Sequence, residues 1–221
     1  MAPIPLTVDE FMEGYIGFGA ADYDAGFIQG IDGAGGGTTF SHAITIKMAD
    51  IDQFVSEAAH EATVEGHIVC PPLGDKRPIL RGTFNMLVEE PNANLRVMLY
   101  RMVFADAGGE LWTMLGHKTI HNDHSLNLWP DITTLYIRLL KGEVPGPDIS
   151  SISLPGQVPT PGPNAAMGTI HISTLDAFRS ARSFHSPGSN PIRAAEAVAK
   201  FVKFYFHGAW DVFGKSHKVT T

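Results

Sequence analysis

Between Leu111 and Asp131 the chain reads LWTMLGHKTIHNDHSLNLWPD, with His117, His121 and His124 set among Asp123, Asp131, Trp112 and Trp129. Three histidines this close could ligate a metal, move protons, or simply dress a strand. The β-branched and alternating run to His121 predicts a strand. On a strand His117 and His121 share a face but lie about 13 Å apart, at roughly 3.3 Å per residue. One metal ion with nitrogen ligands at about 2.1 Å cannot span that gap, so no metal site is expected. A metal-dependent oxygenase using all three histidines would need helical or loop geometry here. A two-histidine site of His121 and His124 with Asp123 ranks below ordinary solvated histidines.

Two cations are the better candidates for chemistry. PILRGTFNMLVEE, NLRVMLYRMVFAD and ELWTMLGHKTIHND are each about ten residues long, rich in β-branched and aromatic residues, and broken by PNAN and DAGG. They predict a meander of long antiparallel strands. Taking both breaks as even loops, with Glu90 opposite Leu95 and Ala105 opposite Glu110, sorts the side chains onto two faces. One face is apolar and collects Phe84, Met86, Leu99, Trp112 and Met114, together with Arg101 and Lys118. The other collects Met98, Tyr100, Met102, His117 and His121, and it is expected to be the wet one. Glu89 is expected opposite Arg96 as a cross-strand pair. Met98 and Met102 are expected to pack beneath the C-terminal helix.

Charges are almost never buried without partners, so Arg101 and Lys118 require nearby carboxylates. Asp123 and Asp131 flank the end of the Lys118 strand and are the expected ones. Phe84, Met86, Leu99, Trp112 and Met114, joined by Trp129 and Tyr136, have the composition of a small-molecule pocket wall. In a cyclase or isomerase, Lys118 and Arg101 would stabilise a developing enolate or alkoxide while Asp131 or Asp123 moves a proton.

The elements that must position these residues follow from pattern. TVDEFMEGYIGF predicts a short N-terminal helix, with Thr7 and Glu10 as a capping box. Seven glycines from Gly19 to Gly37 predict a mobile loop. No Lys-Ser/Thr follows them and a strand comes next, so a phosphate loop is not expected. TTFSHAITIKM and ATVEGHIVC alternate as strands around a short helix in ADIDQFVSEAAHEA. WPDITTLYIRLL is a further strand or a short helix. Six prolines from Val144 to Pro163 predict an irregular linker. GTIHIS is one more strand, and TLDAFRSARSF a helix. The last helix has Asn190 as cap, Pro191 at its first position and apolar residues at Ile192, Ala195, Val198, Val202 and Tyr205.

The expected architecture is mainly β: an antiparallel, lipocalin-like barrel or strongly curved sheet closed by N- and C-terminal helices. It forms one domain over 1–221: an N-terminal helix and glycine loop (1–37), a β core (38–143), a proline-rich linker (144–167), and a final strand with helices (168–221). A net charge of −7 and no Lys/Arg footprint argue against nucleic acid. The lone Cys70 excludes an internal disulfide and suggests a reducing compartment. No signal peptide or membrane span is expected, so the cytoplasm is the expected location.

RGTFNMLVEE, LYRMVFADAGGELWTMLGHKTIHND and LWPDITTLYIRLLKGEV resemble a domain of large bacterial proteins. That domain accompanies cholesterol-oxidase-like (glucose–methanol–choline) flavin oxidoreductases and lipid-metabolism hydrolases. Its Asp-Thr-Thr-Thr-Leu-Tyr run stands here as Asp131-Ile132-Thr133-Thr134-Leu135-Tyr136, one position departing. Gly116-His117-Lys118 and Tyr100-Arg101 match its Gly-x-Lys and Tyr-Arg. The likeness covers about residues 7–145 and reaches loosely into the last helix. The flavin motif is absent, so oxidoreductase activity does not carry over and no cofactor is expected. The resemblance implies a lipid, sterol or isoprenoid-like ligand; polyketides share that chemistry. A non-catalytic carrier is the alternative reading. Candidate macromolecular partners are a second copy of the chain and a partner oxidoreductase.

Overall fold

The computed structural model describes residues 2–33, 35–90, 95–121, 132–146, 164–172 and 184–214. Its strands are β1 (Leu6–Phe18), β2 (Gly37–Met48), β3 (Glu61–Val69), β4 (Lys76–Glu90), β5 (Leu95–Ala105), β6 (Leu111–His121), β7 (Thr134–Lys141), β8 (Asn164–His171) and β9 (Phe184–His185). Helices α1 (Tyr23–Asp32), α2 (Ile51–Ser56) and α3 (Pro191–Gly214) accompany them.

Strands β2 to β8 pair antiparallel in chain order, and β1 then pairs with both β8 and β2. The sheet therefore closes on itself as an eight-stranded barrel, with β9 beside β1 outside the ring. Closure removes the exposed edges that an open sheet would present. Among the described residues no helix is long and apolar enough to cross a membrane.

The N-terminal segment corrects the expected helix. Leu6, Met12 and Ile16 are buried, and Val8 and Glu10 share their parity, a period of two that belongs to a strand. Thr7 and Glu10 are strand residues, not a capping box. The glycine stretch is likewise more than a loop, since it holds α1. Asp22 caps that helix by accepting from the Ala25 amide at 2.7 Å, and Gly33 ends it with φ 64°. Helix α1 lies on the outer wall over β1 and β8. It comes so close that a Cβ on Gly26 would stand 2.0 Å from the Met167 carbonyl oxygen. Strand β8 starts at Asn164, inside the segment read as linker. The expected helix over 174–184 lies outside the described residues except for Phe184, which opens β9.

Helix α3 keeps its expected start, where the Asn190 side chain accepts from the Arg193 amide at 3.0 Å. Its buried stripe follows the sequence reading in part. Phe201 is buried and Val198 and Tyr205 pack on the core, whereas Ile192 is 81% and Val202 37% exposed. Phe201 packs on Phe184, and Phe204 on Phe54 and His60. Lys200 bonds Asp52 of α2 at 2.7 Å. These contacts hold α3 across one end of the barrel.

Candidate functional site

The register decides which side chains enter the barrel. Glu90 pairs with Leu95 and Glu89 with Arg96, as expected, and the Arg96 guanidinium donates to Glu89 Oε1 at 3.0 Å. A bulge then intervenes at Leu87, whose φ is 53°, and Asn85 pairs with Leu99. At the next turn Ala105 pairs with Leu111, which leaves five residues in the loop instead of an even number. Asp106 organises that loop, with Oδ1 accepting from the amides of Gly108 (2.8 Å) and Glu110 (2.9 Å). Its Oδ2 accepts from Trp112 Nε1 at 3.1 Å.

Each irregularity reverses parity once. Strand β6, and β4 as far as Met86, thus keep the expected faces, while β5 is turned over. Met98, Tyr100 and Met102 point inward, and Leu99 and Arg101 point outward. Arg101 is a correction to the expected lumen pair. Its Nε donates to the Val144 carbonyl at 2.7 Å and its Nη2 to Glu143 Oε1 at 3.1 Å, an arrangement shared with Arg81. Leu99 pairs with His117 on the outer face and is no cavity residue.

Lys118 does face inward, and its ammonium is almost completely buried, with the side chain 3% exposed. Its partner is Glu10 of β1, with Nζ donating to Oε2 at 2.9 Å. The Tyr100 hydroxyl donates to the same oxygen at 3.1 Å, and His42 Nε2 lies 3.2 Å from Oε1. Lys118 Nζ also stands 5.3 Å from the centre of the Tyr100 ring, in cation–π range. Burial alone would raise the Glu10 carboxyl, but the Lys118 charge and the bonds from His42 and Lys118 outweigh it and hold its pKa at about 2. Burial first, then the Glu10 charge, pushes the Tyr100 and Tyr205 hydroxyls well above the ordinary phenol value.

Glu10, Tyr100, Lys118 and Tyr205 form one wall of a cavity of about 400 Å³, with His42 behind Glu10. Phe84, Met86 and Met98 line it from the barrel, and Val198, Phe201 and Tyr205 of α3 cover it. Apart from Glu10, Lys118 and the hydroxyls of Tyr100, Thr133 and Tyr205, the described lining is hydrocarbon or thioether. The volume lies in the range of small-molecule sites, and the pattern of apolar wall with a few convergent polar groups is theirs too.

Of the residues read from sequence, Phe84, Met86 and Lys118 meet in this cavity. Trp112 and Met114 point inward but belong to the packed core and are absent from the described lining. Tyr136 is on the outer wall, stacked on His117 at 5.4 Å between ring centres. Asp123, Trp129 and Asp131 lie outside the described residues, as does His124. The face expected to be wet is not. His117 is 4% exposed, packed edge-on against Tyr23 of α1, and burial pushes its pKa down to about 4.

Glu10, His42 and Tyr100 are the site residues that sequence reasoning missed. A signal for Glu10 existed: Leu6, Val8, Glu10, Met12 and Ile16 form an apolar alternating row interrupted by one acid. That interruption is the same feature that singled out Lys118. Compared with known proteins, the chain matches no family model, no curated protein and no solved structure.

Proposed function

We propose that this protein binds an apolar, oxygen-bearing small molecule of lipid, sterol, isoprenoid or polyketide-like chemistry inside its barrel. The observation that carries the reading is a hydrocarbon-lined cavity of about 400 Å³ with a buried ion pair on one wall. An ammonium carries three donors, and the described residues use one of Lys118's, on Glu10. The remaining donors suit a ligand oxygen.

Carriage is favoured over turnover. Glu10 already accepts from His42, Tyr100 and Lys118, and its pKa near 2 makes it a poor proton acceptor at neutral pH. Cofactor-independent isomerisation or cyclisation is the second reading, favoured by Lys118 itself. A preorganised ammonium in an apolar cavity would stabilise an enolate forming beside it. The proton would then need a base other than Glu10. Docking onto a partner oxidoreductase rests on the sequence resemblance alone.

Native mass spectrometry of the purified protein, paired with uptake of the neutral dye Nile red, tests the binding reading. An apolar adduct, or dye uptake that added lipid reverses, is expected. Protein that carries no adduct and leaves the dye in water would overturn it.

A further inference from the structure

The charge balance of the wall cluster selects among apolar ligands. Lys118 and Glu10 cancel one another across 2.9 Å. Tyr100 and Tyr205 stay protonated and add no charge. His42 faces Glu10 through Nε2 at 3.2 Å, and its Nδ1 is buried with no hydrogen-bond partner among the described residues. The Lys118–Glu10 pair is therefore neutral as it stands. A ligand carboxylate placed on Lys118 would bring a second anion beside Glu10 with no second lysine or arginine in the described lining to match it, and an unmatched buried charge is strongly disfavoured. An ammonium would meet Lys118 in the same way.

Hydrogen-bonding capacity narrows the choice further. Both Glu10 oxygens already accept, three bonds in all, so the cluster has little left to offer a donor. What it does offer is N–H. We infer, building on the binding reading above, that the cavity selects uncharged ligands ending in a hydrogen-bond acceptor, a ketone, aldehyde or ester carbonyl, and rejects the carboxylate of a fatty acid.

A matched twelve-carbon series tests this at pH 8: 2-dodecanone, 1-dodecanol, dodecane and dodecanoate, each competing with Nile red on the whole chain. The ketone should displace the dye at a concentration about tenfold or more below that of dodecanoate, each tenfold being one decade in Kd. Its carbonyl stretching band should also move to lower wavenumber than in hydrocarbon solvent. In Glu10→Gln the Lys118 charge loses its counterion, so the preference should reverse toward dodecanoate. Dodecanoate binding as well as or better than the ketone in the native protein would overturn the inference, as would an unshifted carbonyl band. A Glu10→Gln variant that still prefers the ketone would do the same. Failure of all four probes to displace a bound dye would overturn the inference while leaving dye uptake to speak for the cavity. No dye uptake at all would remove the binding reading itself, and the inference with it.

Discussion

Glu10 and Lys118 stand 108 positions apart in the chain and meet almost out of contact with water. Breaking such a pair from one side strands a charge, which typically costs about 3–5 kcal/mol. Lys118→Met should therefore lower the urea midpoint sharply, and Glu10→Gln with Lys118→Met should recover most of the loss. A Lys118→Met variant melting like the parent would show the pair to be dispensable. The pH dependence has a definite sign. Glu10 titrates at about 2 when folded against an ordinary value of 4.5, so its contribution is complete above pH 4.5 and fades as pH falls toward 2. His117 acts in a higher window: the unfolded ring takes a proton near 6.5, whereas the folded one resists until about 4. Stability should thus begin to fall below pH 6.5, and His117→Phe should flatten the limb between 6.5 and 4 in pH-dependent melts. Lys118 was legible because a cation in an apolar alternating row is conspicuous. Glu10 was not, because Thr7-x-x-Glu10 also satisfies the pattern of a helix cap.

At the scale of elements, β2 to β6 were legible from alternation and turn residues, β7 stayed open between strand and helix, and β1 and α1 were not legible. Glycines misled the reading of α1: they are there for proximity rather than looseness. Gly26→Ala should be destabilising by about 1–3 kcal/mol, despite alanine's better helix propensity, because its methyl meets backbone at Met167. Chemical denaturation of that variant would decide it; a gain in stability would mean that α1 can lift off the wall. The inversion of β5 was illegible for a different reason. Face assignment along a meander accumulates parity: the Leu87 bulge carries no glycine, and Gly109, at φ 85° in the Asp106 loop, marks a turn without announcing that five residues close it. Two single-residue irregularities exchanged Leu99 and Arg101 for Met98 and Tyr100.

For the molecule as a whole, α3 is both cover and wall. Its Val198, Phe201 and Tyr205 line the cavity, and Lys200 ties it to α2. Large side chains buried this way contribute about 1.5–3 kcal/mol each, a substantial share of a typical domain's stability. Truncation at Ser189 should abolish both the cooperative melt and dye uptake. A truncated protein melting at the parental temperature would make α3 a mere appendage.

Ring closure also imposes an order on synthesis. Strand β1 is made before the other strands of the barrel, yet one of its two ring neighbours, β8, is not made until residues 164–171. β2 can pair with it early, but the barrel cannot shut, and Glu10 cannot meet Lys118 inside a sealed wall, until most of the chain has emerged. Nascent chains stalled before β8 should consequently hold an open, half-wrapped sheet with its apolar face exposed, a natural client for chaperones. The ligand chamber would then come into being late and all at once, rather than growing strand by strand.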